Sequence, residues 1–244
     1  MWFMLILDAQ FAFPESITLH RRNYMNILLS KLNFDEPWAY PYLSEYLRPC
    51  QHITVLPFSF WDSEVYSNET WEAAYGPSGK YFNEITEGFS AYGLGPLQFT
   101  FINFFSDDEA AFAQALQKSD ILFLTGGAPD LTMQRIQKKG FAPLIRSYPG
   151  IVIGCSAGAM VQCGCFHITP NRFYPTFFHQ EGLGLLPACY GVEVHYISDS
   201  HHIESIERTI QKTGRQILLL DNESGAVFQD QQWFLLGNAK FFSS

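Results

Sequence analysis

The sequence predicts an α/β fold: a single doubly wound, mostly parallel sheet with helices on both faces. Three observations predict it. Short apolar runs alternate along the chain with longer helix-like stretches. Several runs are apolar at every position, as in strands buried on both faces. Two of them end in glycine turns, where the carboxyl ends of parallel strands give way to helices. The 244 residues, 47% hydrophobic and 16% charged, can bury a sizeable core. No repeat, low-complexity segment or linker interrupts them, so residues 1–244 read as one domain.

The elements follow in order. Residues 3–7 form a first apolar strand, and residues 17–32 a mixed, helix-like stretch. Residues 41–47 suit a short helix, and residues 52–60 a strand with a late proline. The aromatic-rich segment 62–93 reads as loop plus a helix over 79–90. Residues 98–105 read as a strand; Ser106, with Glu109 three positions on, has capping-box spacing for a helix over 107–118. A strand over 120–124 ends in Thr125-Gly126-Gly127. Helices over 131–139, stopped by Gly140, and over 142–148 lead through Pro149-Gly150 to a strand over 151–154 and a helix opening at Ser156. Residues 193–196 read as the end of a further strand, 201–213 as a helix, and 216–220 and 226–228 as strands about a turn.

Net charge is −9, and the 15 Lys and Arg are scattered, with no run longer than Arg21-Arg22 or Lys138-Lys139. A nucleic-acid surface needs a basic patch, so no nucleic-acid partner is expected. The seven apolar residues at the start lack a basic flank and are too few to span a bilayer, so no membrane partner is expected. Five Cys, an odd count without scaffold density, suit a reducing cytoplasm.

Gly154-Cys155-Ser156-Ala157-Gly158 matches G-x-S-x-G between an apolar strand and a helix. A sharp turn there lifts the Ser156 hydroxyl above the sheet edge, and the Ala157 amide faces a developing oxyanion. The alternative is a glycine-containing helix start without chemistry. Gly127, at the end of the neighbouring strand, is the second candidate oxyanion donor, against a plain tight turn. Of seven His, His195 is best placed as base, at a strand end 39 residues beyond Ser156. His201 and His202 read as residues of a helix start. Cys163, Cys165 and His167 share a face if they lie on a strand, but structural zinc wants four ligands at longer spacing, so buried thiols are expected and no metal. Cys155 points into the sheet. No phosphate-binding G-x-x-x-x-G-K occurs, and no cofactor is implied.

Together these residues resemble the dipeptidase E and cyanophycinase family of serine peptidases, whose fold is related to class I glutamine amidotransferases and is flavodoxin-like. The resemblance rests on residues 121–127, the helix ending at Gly140, residues 150–159, and Gly182-Leu-Gly-Leu-Leu-Pro187 leading to His195-Tyr196; it extends over about residues 100–228. It implies Ser156 as nucleophile, His195 as base, the Gly127 and Ala157 amides as oxyanion hole, and a short peptide or amide as substrate. The family's acidic residue falls on Asn171, leaving Asn171 to orient His195 or Glu181, Asp199 or Glu223 to substitute. Of two arginines expected on the following helix, Arg208 remains as a substrate-binding candidate and Ser205 replaces the other, so aspartyl specificity is not implied. Two alternatives stay open: a catalytically impaired binding or regulatory protein, and a glutaminase. Residues 61–92 supply either a substrate wall or a homodimer face.

Overall fold

The computed structural model describes residues 24–242. The strand expected at 3–7, and the beginning of the helix expected over 17–32, lie outside them. The later part of that second segment is a strand, β1 (Met25–Leu29), buried at all five positions. It corrects the helix expectation. Met25, Ile27 and Leu29 enter one core and Leu28 the other, so the run is buried on both faces and sheet pairing overrides its helix-like spacing.

The chain continues through α1 (Tyr40–Leu43), β2 (Ile53–Leu56), α2 (Asn68–Tyr75), α3 (Lys80–Ser90), β3 (Phe99–Phe101) and α4 (Glu109–Gln117). β4 (Ile121–Leu124), α5 (Pro129–Lys139), α6 (Ala142–Ser147), β5 (Ile151–Cys155) and α7 (Ala157–Met160) come next. Then come β6 (Cys165–Ile168), β7 (Phe178–Glu181), β8 (Tyr190–Val194), α8 (Ser200–Thr213), β9 (Gln216–Leu220), β10 (Ser224–Gln229), β11 (Gln232–Gly237) and β12 (Lys240–Phe241).

The main sheet runs β11-β10-β1-β5-β4-β2-β3. Its five strands from β1 to β3 are parallel, and β10 and β11 add an antiparallel edge. On β4, Ile121 and Phe123 face one core while Leu122 and Leu124 face the other, so both faces are covered. Beside this sheet stand a three-stranded one, β12-β9-β8, and a two-stranded one, β6-β7. The strand that ends before His195 therefore belongs to the smaller sheet. Among the described residues no helix is long and apolar enough to cross a membrane.

Two local differences have clear causes. The strand expected over 98–105 ends at Phe101, because the Asn103 amide donates to Asp107 Oδ2 at 2.8 Å and its Oδ1 accepts from the Phe105 amide at 2.9 Å. That turn engages Asp107, so α4 starts later than expected, with Asp108 rather than Ser106 capping it through the Ala111 amide at 2.9 Å. The unexpected α2 is capped by Ser67, whose Oγ accepts from the Thr70 amide, and it buries Trp71 and Tyr75.

The register sets the geometry of the site. Leu29 lies beside Cys155, and Leu124 beside Gly154. The residues just beyond β1, β4 and β5, namely Ser30, Thr125 to Gly127 and Ser156, thus emerge side by side at one carboxyl edge.

Candidate active site

Ser156 leaves β5 at φ 49° and ψ −110°, a conformation a non-glycine residue adopts only at a cost of about 1–3 kcal/mol. The surroundings hold it there. Its amide donates to the Leu29 carbonyl at 2.8 Å. The glycines on either side permit very close backbone approach: a β-carbon on Gly154 would lie 2.2 Å from the Gly158 carbonyl oxygen, and one on Gly158 would lie 2.0 Å from that of Leu124. Buried Gln162 accepts from Asn26 Nδ2 at 2.8 Å and donates to the Ile27 carbonyl at 3.2 Å, tying the chain after α7 to β1.

Across from it, His195 comes just after β8 and is itself left-handed at φ 53°. Its Nε2 lies 2.8 Å from Ser156 Oγ. Its Nδ1 lies 2.8 Å from Asn222 Oδ1 and 3.3 Å from Ser30 Oγ. An amide oxygen only accepts, so with that oxygen turned inward the ring proton sits on Nδ1 and the Nε2 lone pair faces the serine hydroxyl. The His195 amide also donates to Ser30 Oγ at 2.9 Å, fixing backbone and ring together.

Gly127 takes φ 136°, and a β-carbon there would fall 2.2 Å from the Ser59 carbonyl oxygen. Ser59 also accepts from the Ala128 amide at 2.8 Å, and its hydroxyl meets Thr125 Oγ1 at 2.6 Å. Gly126 passes so close that a β-carbon on it would lie 3.4 Å from Ser156 Cβ. Ala157 opens α7, where amides lack intrahelical partners.

The other sequence candidates lie elsewhere. Asn171 does not meet His195: its Oδ1 accepts from the Phe173 and Tyr174 amides at 2.9 and 3.1 Å and its Nδ2 donates to the Thr169 carbonyl, closing its own turn. Asn222 occupies the orienting position instead. Glu181 is an exposed residue of β7 paired with Cys165. Asp199 caps α8 through the His202 amide. Glu223 is exposed; its amide donates to Asp221 Oδ1 at 2.9 Å. Arg208 lies over the Phe177 ring at 4.4 Å, away from the walls around Ser156. Cys155 is buried, its thiol pushed up to about 12 by burial. Among the described residues no cluster of His, Cys, Asp and Glu is arranged to hold a metal.

Sequence reading missed Asn222, Ser30 and Glu193. The first lies one residue from Glu223 in a turn already singled out, and the second has no local signal. Glu193 is buried, its Oε2 2.6 Å from His167 Nε2 and its Oε1 2.6 Å from His202 Nδ1 and 2.7 Å from Thr169 Oγ1. Burial pushes its carboxyl up, but the close His167 and His202 imidazoles and the Thr169 hydroxyl outweigh that and hold it at about 2. On His202, burial lowers and the Glu193 contact raises the imidazole, with a net rise. This cluster borders a cavity of about 470 Å3 that also opens on Ser156 and His195. A second cavity, of about 690 Å3, meets Ser156, His195, Gly127 and Trp61 from the other side.

The model of the family described as Peptidase family S51 matches residues 73–236, about two thirds of the chain. Among solved structures, a Listeria monocytogenes EGD-e protein provisionally named peptidase E matches with a TM-score of 0.62 at 17% identity, covering 91% of this chain and 100% of its own. A peptidase from an acI-B1 Actinobacterium matches with a TM-score of 0.52 at 16% identity, covering 90% and 94%. At these identities the likeness is one of fold. No curated protein sequence matches.

Proposed function

This chain belongs to peptidase family S51, and on that basis we propose that it is a serine-type hydrolase of short peptides or related amides. The observation that carries the reading is the 2.8 Å contact between Ser156 Oγ and His195 Nε2, with the far ring nitrogen held by Asn222. Ser156, on its strained nucleophile elbow, attacks the scissile carbonyl as His195 Nε2 takes its proton. The amides of Gly127 and Ala157 receive the oxyanion. The imidazolium returns the proton to the leaving amine, and an acyl-enzyme remains. Water attacks the ester with His195 again as base, releasing the acid and restoring Ser156. Asn222 keeps the imidazole in the productive tautomer and stabilises its cation only by a dipole.

That neutral partner favours a second reading, a slow or silent member of the family that binds peptides without cleaving them. Turnover separates the two. The hydrolase reading expects release of amine from a dipeptide panel, or of nitrophenol from activated esters, reduced at least about 10³-fold by Ser156→Ala and by His195→Ala. No turnover in a folded protein, or turnover that survives Ser156→Ala, contradicts it.

A further inference from the structure

We propose that the cavity between Ser156 and Trp61 seats an aromatic or large aliphatic group of the substrate and excludes a carboxylate. The inference deepens the serine-hydrolase reading and rests on it. Trp61, Phe173 and Tyr174 make one wall, with ring centroids 5.3 and 5.6 Å from that of Trp61. Met160 and Ile168 continue the apolar lining. Phe173 is 54% exposed, a large apolar ring turned to solvent at the cavity that opens on the nucleophile. A flat apolar group seated there gains both water exclusion and ring stacking.

The polar part of the same cavity is built around a carboxylate already in place. Glu193 is the carboxylate lining this part, with His167 Nε2 and His202 Nδ1 each 2.6 Å from its oxygens and the Thr169 hydroxyl donating to Oε1. A second carboxylate placed there would lose its water beside a buried anion that already holds both imidazoles at 2.6 Å. Glu193, its oxygens engaged on three sides, is equally poor as an acceptor for an ammonium group. The Tyr174 hydroxyl is engaged as well, by Asp130. Arg172 lines the mouth, exposed, with its guanidinium 4.5 Å from the Phe173 ring. In that position it stays hydrated and adds no buried cation.

Boronic acids test this without assuming which side of the scissile bond the cavity serves, because boron bonds to the serine oxygen and the organic group seats where it fits. Protection of Ser156 from a simple alkyl fluorophosphonate is measured with 2-phenylethyl-, 2-carboxyethyl- and 4-aminobutyl-boronic acid. The phenylethyl compound is expected to half-protect at a concentration at least tenfold below the other two. Phe173→Ala, at an exposed position that leaves the fold intact, and Trp61→Ala are expected to shrink that ratio at least fivefold while the fluorophosphonate still labels. Equal protection by all three, tighter binding of the carboxyethyl or aminobutyl compound, or a ratio unchanged in both variants overturns the inference and leaves the hydrolase reading standing. Failure of the fluorophosphonate to label Ser156 removes the hydrolase reading, and this inference with it.

Discussion

At His195 the structure sets a dipole, from Asn222, where a charge would stabilise an imidazolium better. Exchanging the partner of a catalytic histidine from Asp to Asn costs about 10⁴ in turnover in a serine protease, through loss of the correct tautomer. Here the Asn222 oxygen, 2.8 Å from Nδ1, supports that tautomer, so only the charge is missing. Asn222→Asp is therefore expected to raise kcat about tenfold or more, and Asn222→Ala to lower it, both read as initial rates on the best ester or amide. An Asn222→Asp enzyme no faster than the parent would show that this position does not limit catalysis. Gly127→Ala forces a β-carbon to within 2.2 Å of the Ser59 carbonyl at φ 136°. It is expected to abolish oxyanion binding and to cost at least about 2 kcal/mol of stability by denaturant titration. The placement of Ser156, His195 and Gly127 beyond strand ends was legible in the sequence, because each follows a strand pattern. Asn171 misled because its distance along the chain fits, whereas its side chain folds back on its own turn. Asn222 reaches His195 from within the β9–β10 turn, a relation that spacing does not encode.

Between elements, the buried Glu193 of β8 joins His167 of β6 to His202 of α8. Its carboxyl is lowered from 4.5 to about 2, so its contribution to stability is present above pH 4.5 and is lost as pH falls toward 2. His202 is raised above 6.5, so its contribution is present below pH 6.5 and is lost as pH rises through its folded value. The stability difference between the native protein and Glu193→Gln should be largest between about pH 4.5 and 6.5, on the order of 3 kcal/mol, and should shrink on either side. Thermal melts across pH check this; a difference independent of pH would contradict it. Arg135 of α5 does similar work for the loop that carries Trp61. It donates to the Phe58 and Phe60 carbonyls at 2.6 and 2.7 Å, pairs with Asp62 at 2.6 Å, and lies 3.7 Å from the centre of the Phe60 ring. Most elements from α3 onward were legible within a few residues. β1 was not, because four apolar residues around Asn26 fit a helix or a doubly buried strand equally until their neighbours are known.

Across the whole molecule, a mostly parallel sheet covered on both faces brings three strand ends to one edge, and a small separate sheet brings His195 to meet them. The first part of this plan was legible from continuous apolar runs and glycine turns. The second was not, because which sheet a strand joins is decided by partners far along the chain: β8 pairs with β9, which lies beyond α8. The central claim is that this convergence makes Ser156 a reactive nucleophile. The most direct measurement is the intact mass of the protein after exposure to a fluorophosphonate, followed by peptide mapping. The account predicts a single adduct on Ser156, absent in Ser156→Ala and formed at least about 100-fold more slowly in His195→Ala. A folded protein that gains no adduct, or gains one on another residue, would contradict it.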